Sequence, residues 1–372
     1  RQQLGKTSNT KYETIAASAG PDHRVRGTLQ FYGASRTGRW AGRLLQVQNL
    51  PRTYLDHQAE WRDIVKLHDP EALALLTDNV SDTLSQLIRT ALVPAKGYTF
   101  VDADFSAIEA RLIAWLAGEE WVLDVFRTTG KIYEATAARI FGVPFDSIAK
   151  GNPNYKYRQR GKVATLALGY QGGVGAMKRM GGDQLGLDDE GLQDIVNRWR
   201  RQNPRICKLW RRMQDAAVHT IRTGKTTQPR AGVIFRKELA PDFPFPFLTL
   251  QLPSGRKLFY ADPGTTPDDR ITYKEWDNGG WREAETYGGK LTENLTQAVG
   301  RDCLAFALDN LRRAGYRVVF HVHDEVIIEL PDTQDADAAL QDVVRIMSIV
   351  PPWAEGLPLN AAGWHGDFFT KD

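Results

Sequence analysis

The 372-residue chain is 42% apolar and 25% charged, an ordinary globular balance that argues against disorder, and its length favours two or more lobes. A net charge of +3 and a pI near 8.7 permit a polyanionic partner without requiring one. Cys207 and Cys303 are too few for a disulfide framework or a thiolate zinc site, and no apolar run approaches the roughly 18 residues of a membrane span.

Residues 1 to 30 are polar and basic, with Lys6, Lys11, Arg24 and Arg26, and Gly20-Pro21-Asp22 turns the chain into a strand-like Thr28 to Tyr32. GASRTGRWAGR follows, where Arg36, Arg39 and Arg43 sit among Gly33, Gly38 and Gly42. Glycine lets a backbone approach a ligand closely and arginine offers forked donors; a solvated basic loop is the equal alternative. Residues 57 to 92 read as two amphipathic helices divided by Pro70, one marked by Trp61, Ile64 and Leu67, the other by Leu73 through Ile88. They suggest packing alone.

Thr99 to Asp104 reads as a short strand, and Ile108, Leu112, Trp115 and Leu116 as the apolar stripe of the next helix, with Ser106 placed to cap it. Glu109 and Arg111 lie off that stripe and are expected to face solvent or a ligand. Residues 131 to 142 form another helix closed by Gly142. In YKYRQRGKVATLALGYQGGVG, the residues Arg158, Lys162, Leu166 and Tyr170 recur every four positions. They share a helix face about 18 Å long at 1.5 Å per residue, with cations at one end and an aromatic at the other. That span suits a nucleoside triphosphate; a solvated basic face fits the same spacing.

From 189 to 223 a helix pair interrupted by Pro204 carries Trp199, Trp210 and a dense run of arginines between Arg198 and Arg212, an interleaving that could track phosphates. Residues 246 to 289 read as a small β excursion with an Asp277-Asn278-Gly279-Gly280 turn. Leu295 to Leu311 returns to helix, with Gln297 and Arg301 on one face.

Arg317 to Leu330 (RVVFHVHDEVIIEL) then alternates apolar residues on both sides of His323, Asp324 and Glu325. This is the period of a half-buried hairpin, holding accessible carboxylates at a rigid tip suited to a metal ion. An ordinary hairpin with a polar turn fits as well. A last helix near Ala336 to Met347 and the tail GWHGDFF end the chain.

Taken in order, DADFSAIEAR, RQRGKVATLALGYQGG and HVHDEV, flanked by TGRWAGR and ENLTQAVGRD, resemble the polymerase motifs of family A DNA polymerases. LALGYQGGVG and GWHGDFF look most like the phage branch. The resemblance implies an α+β fold: an antiparallel palm sheet formed by residues 1–112 and 291–372, with helical fingers and the β excursion in 113–290. It implies Asp104 and Asp324 as metal ligands and Glu325 as their acidic neighbour. Arg158, Lys162 and Tyr133 would meet the triphosphate, Leu166 and Tyr170 the nucleotide, and Glu109 would close the sugar pocket. Arg39, Arg43, Gln297, Arg301 and His323 would touch primer or duplex.

The implied partners are primer-template DNA and dNTPs, with two Mg²⁺ ions, replaceable by Mn²⁺, and pyrophosphate as product. A bacterial host cytoplasm and no membrane partner follow for a phage enzyme; replisome partners are unspecified. The chain departs from the family pattern at Ala107, Tyr133, Leu166 and Gln171, which puts the sugar and phosphate contacts in question. It opens on Arg1 rather than Met and reads as a fragment: some thirty residues precede TGRWAGR, too few for a thumb or a proofreading nuclease. The rival readings are a two-metal nuclease and a catalytically silent nucleic-acid-binding fragment.

Overall fold

The structure, a computed structural model, describes residues 8–277 and 279–371. Lys6 and Asn278, named above, lie outside the described residues. In chain order, α1 (Thr10–Ser18), β1 (Leu29–Gln30) and β2 (Ala41–Gly42) precede α2 (Gln58–Lys66), α3 (Pro70–Leu76) and α4 (Val80–Leu87). β3 (Tyr98–Phe105) leads to α5 (Ile108–Ala117), α6 (Glu120–Thr128), α7 (Ile132–Phe141), α8 (Lys156–Leu168), α9 (Val174–Arg179), α10 (Asp189–Gln202) and α11 (Pro204–Thr223). The strands β4 (Thr227–Arg230), β5 (Val233–Leu239), β6 (Pro246–Gln251), β7 (Lys257–Thr265), β8 (Ile271–Asp277) and β9 (Gly280–Thr286) follow. The chain then forms α12 (Gly288–Arg313), β10 (Val318–Val322), β11 (Glu325–Pro331), α13 (Ala336–Met347) and β12 (Ala361–Gly366). No helix among the described residues is long and apolar enough to cross a membrane.

The chain divides into two compact units. One holds the chain up to Ser106, Leu304–Ile349 and the chain from Asn360; the other holds Ala107–Cys303 and Val350–Leu359. The sequence expectation put the divisions after 112 and 290. All of α5 goes with the second unit because it packs on α6 and α11. It also fastens the 350–359 segment: Trp115 Nε1 donates to Glu355 O (2.9 Å) and Arg111 Nη1 to Pro358 O (2.6 Å). Arg111, expected at a ligand or in solvent, is therefore buried, its guanidinium 4.2 Å from the Phe126 ring.

The first unit is built on a four-stranded antiparallel sheet ordered β10-β11-β3-β12. Alternation in β3 and β10 gives each strand two faces. α13 packs on β3 and β12, while Phe100, Val322 and Ile327 join Leu45, Val47, Leu50, Ile88 and Phe369 in a second apolar layer. Fully burying each such side chain stabilises the fold by about 1.5–3 kcal/mol, which fixes the register that aligns the acidic residues.

Upstream, the single helix expected from Leu73 to Ile88 is split in two. Asn79 accepts the backbone N–H of Asp82 at 3.0 Å and starts α4, much as Asp69 starts α3 by accepting from Glu71 and Ala72. An unbroken apolar period hid the Asn79 cap, where a short polar side chain offers the backbone a competing bond.

In the second unit Val163, Leu168, Met177, Leu192 and Trp199 form the core of α8, α9 and α10. α7 crosses α8 at Gly161, where a Cβ would stand 2.2 Å from Tyr133 O, so only glycine permits the approach. Trp199 and Trp210 are buried and stacked at 6.3 Å. The expected surface interleaving of Trp with Arg is thus corrected: both indoles serve the core, and the arginines alone face outward. The β excursion is larger than expected, a six-stranded antiparallel sheet starting at Thr227 that rests on α11.

Candidate active site

β3 places Asp102 and Asp104 on one face, two residues apart, and the register sets Glu325 of β11 directly opposite Asp104. The hairpin tip is His323-Asp324, with His323 left-handed at φ 47°, and Phe105 N–H donates to Asp324 O at 3.0 Å. Four carboxyl groups therefore gather at one end of the sheet. They are not equally accessible: the Asp104 side chain is 36% exposed, the Glu325 side chain 2%. The expectation of an accessible Glu325 is corrected: its carboxyl is covered, lying against Asp102 and bonded by Lys371.

Electrostatics follows from this crowding. Burial, then the neighbouring Asp104 charge, pushes the Asp324 carboxyl up to about 7, against the pull of Lys371 and Arg39. Asp102 is buried, and burial, then the Glu325 charge and a carboxyl–carboxylate hydrogen bond with Glu325, holds it far above the ordinary range. Lys371 Nζ bridges Glu325 Oε2 (3.0 Å) and Asp104 Oδ2 (3.2 Å). Asp104 Oδ1 is buried and has no hydrogen-bond partner among the described residues.

In the second unit, α8 carries Arg158 and Lys162, both half-buried, and Leu166, 46% exposed. The helix ends at Leu168, so Tyr170 lies in the following turn, and the expected continuous face of about 18 Å shortens to roughly 12 Å from Arg158 to Leu166. Arg158 Nε donates to Glu134 Oε1 at 2.7 Å, and its guanidinium carbon is 5.6 Å from the Tyr133 ring. Tyr170 OH donates to Glu109 Oε2 at 2.9 Å. Gln171 adopts φ 65°, in the left-handed region that favours glycine. Its Oε1 accepts the Gly289 N–H at 3.1 Å, a bond glycine could not make. Ser106 does not cap α5: that position belongs to Ala107 at φ 50°, and Ser106 N–H donates to Asn360 O instead.

The residues expected at DNA fall in both units. In the first, the charge of Arg39 reaches Asp324, Arg43 bonds Gln30 and Gly42 O, and His323 is exposed at the tip. In the second, Gln297 Nε2 donates to Glu293 at 3.4 Å. Arg301 is buried, its Nη1 3.2 Å from Asp302 Oδ1, beside Arg256 at 2.8 Å from the same oxygen. Arg200, Arg201, Lys208, Arg211 and Arg212 line a basic groove on α10 and α11.

Three site residues escaped the sequence reading. Asp102 carried a signal, an aspartate at the period-two position before Asp104. Glu134 carried a weaker one, being adjacent to Tyr133. Lys371 carried none, standing alone near the end of the chain.

Comparison with known proteins bears on this arrangement. The model of "DNA polymerase family A" matches residues 1–234. The chain is 48% identical over 378 residues to the DNA polymerase of Bacillus phage SP02, covering 100% of this chain and 56% of that protein. It is 23% identical over 263 residues to the DNA polymerase of Mycobacterium phage D29, covering 70% and 33%. It thus spans about half the length of the phage SP02 relative and less of the other. A solved structure, the POL domain of Pol1 from M. smegmatis in complex with DNA primer-template and dNTP, superposes with a TM-score of 0.63 at 17% identity over 97% of this chain and 51% of that one. That likeness gives the α+β polymerase fold. Motif order, fold and a 48% identity extending over 100% of its length agree: this chain belongs to DNA polymerase family A and is of the phage type.

Proposed function

We propose that the chain is the polymerising part of a phage DNA polymerase, extending a primer 3′-hydroxyl with dNTPs on a template strand and releasing pyrophosphate. The observation that carries this reading is the buried, unpartnered Asp104 Oδ1 beside the raised Asp324 carboxyl. Oxygens crowded in this way suit a hard divalent cation. Among the described residues no three His, Cys, Asp or Glu side chains form a ready metal cage. Mg²⁺ is commonly held by one or two carboxylates and completed by water and substrate phosphates.

Asp104 and Asp324 would hold the ions. When bound, a Mg²⁺ pair lowers the charge on the attacking and leaving oxygens of an in-line displacement. The remaining work falls to side chains. Lys162 Nζ neutralises the departing pyrophosphate and can supply its proton, and Arg158 orients the phosphates with its planar fork. Glu109, fixed by the Tyr170 hydroxyl, occupies the space a ribose 2′-hydroxyl would need. Arg39, Arg43, Gln297 and His323 are the proposed primer and duplex contacts. For Arg301 the fit is less direct, since it is buried against Asp302, so its part is to fix α12 beside the duplex-contacting Gln297.

Incubation with primer-template, Mg²⁺ and one dNTP at a time tests this reading. Addition of only the templated nucleotide is expected. Shortened primer would mean a nuclease, and unchanged primer with retained binding a silent DNA-binding protein.

A further inference from the structure

Lys371, like Asp102 and Glu134, had no expected role, and it touches two of the carboxylates. Its amine lies 3.0 Å from Glu325 Oε2 and 3.2 Å from Asp104 Oδ2, its side chain 24% exposed. The chain there is anchored: Phe369 is fully buried against Phe320, with ring centroids 5.3 Å apart, and its N–H donates to Leu92 O at 2.9 Å. Lys371 thus reaches the carboxylates from a fixed point two residues away. It uses the Asp104 oxygen other than the unpartnered Oδ1.

We infer that Lys371 is a resident counter-cation that holds Asp104 and Glu325 in position before metal enters and competes with the metal for Asp104. This inference rests on the proposed metal-dependent polymerase reading. Carboxylates drawn together without a cation repel one another. An ammonium on a flexible stem relieves the repulsion yet can be displaced, because it offers a single charge where a divalent ion offers two. Lys371 is therefore a positioning residue: it raises the metal concentration needed to load the site and limits idle occupancy.

The test measures Mn²⁺ binding by electron paramagnetic resonance to the full chain without DNA or nucleotide, in the parent, Lys371→Met, Lys371→Arg and Asp104→Asn. Lys371→Met should bind Mn²⁺ about tenfold more tightly, the change expected if the competent, lysine-free form is about a tenth of the population. Lys371→Arg, which keeps a cation, should stay near the parent, and Asp104→Asn should lose the site. Unchanged affinity in Lys371→Met alongside loss in Asp104→Asn overturns the inference and leaves the polymerase reading standing. Unchanged binding in Asp104→Asn overturns both.

A second measurement needs no variant. Acylation of Lys371 in the parent, read by mass spectrometry, should rise several-fold when Mg²⁺ is added. Constant labelling of Lys371 across the Mg²⁺ titration contradicts displacement.

Discussion

Glu109 and Tyr170 share one hydrogen bond, so the proposed sugar gate is a pair. Glu109→Ala should admit ribonucleotides more readily, and Tyr170→Phe, which deletes only the hydroxyl that fixes Glu109, should shift the ratio of dNTP to rNTP incorporation the same way but less. An unchanged ratio in both variants would put the gate elsewhere. The two α8 cations should separate by kinetics. Arg158 is already paired with Glu134, whereas Lys162 is assigned to charge that grows toward the transition state. Removing such a preorganised donor costs about 10²–10³ in rate. Lys162→Ala should therefore lower the maximal single-turnover rate, while Arg158→Ala mainly weakens nucleotide binding; weakened binding alone for Lys162→Ala would contradict the assignment. Legibility at this scale followed chemistry. Asp104, Asp324 and Glu325 were singled out by the order of the family motifs, since carboxylates at strand ends alone fit a polar turn equally well. The Glu134 partner of Arg158 was hidden, because nothing in a sequence says which carboxylate 24 positions away folds against it.

Elements were readable where one period dominated. β3, the β10–β11 hairpin and α13 lie where alternation and the apolar stripe placed them. The α3–α4 break was not read, because the Asn79 cap interrupts a continuous apolar pattern. Asn79→Ala removes that cap and should destabilise α4 by about 1 kcal/mol, seen as roughly fivefold faster hydrogen exchange across Val80–Leu87; protection equal to the parent would mean that packing alone starts the helix. β4 and β5 escaped because Pro229, Lys237 and Glu238 interrupt their alternation, and they are held in place by pairing with β6 rather than by local preference. The basic run at Arg198–Arg212 was correctly seen as dense and wrongly seen as interleaved, since periodicity cannot say whether an indole on a charged helix faces inward.

At the scale of the molecule, ties between distant segments govern stability. In the first unit Glu329 is buried, which raises its pKa, but hydrogen bonds from Arg24 (2.9 Å) and Ala95 N–H (3.0 Å), with the charges of Arg24 and Arg317, outweigh burial and hold the carboxyl below its ordinary value. A depressed carboxylate contributes stability fully above the unfolded value, 4.5 for glutamate, and loses it as pH falls through the folded value. The stability difference between the parent and Glu329→Gln should therefore be largest at neutral pH and shrink below that value; a difference independent of pH would show that the ion pair is not the cause. Such ties were invisible in the sequence, since 305 positions separate Arg24 from Glu329. Asp104 and Asp324 are the proposed metal ligands for nucleotidyl transfer, and rapid-quench extension by Asp104→Ala and Asp324→Ala tests that role. Removal of either ligand should lower the single-turnover rate by more than about 10², the scale of one lost electrostatic stabiliser, with primer-template affinity close to that of the parent. Extension by either variant within about tenfold of the parent, which corresponds to only about 1.4 kcal/mol, would contradict it.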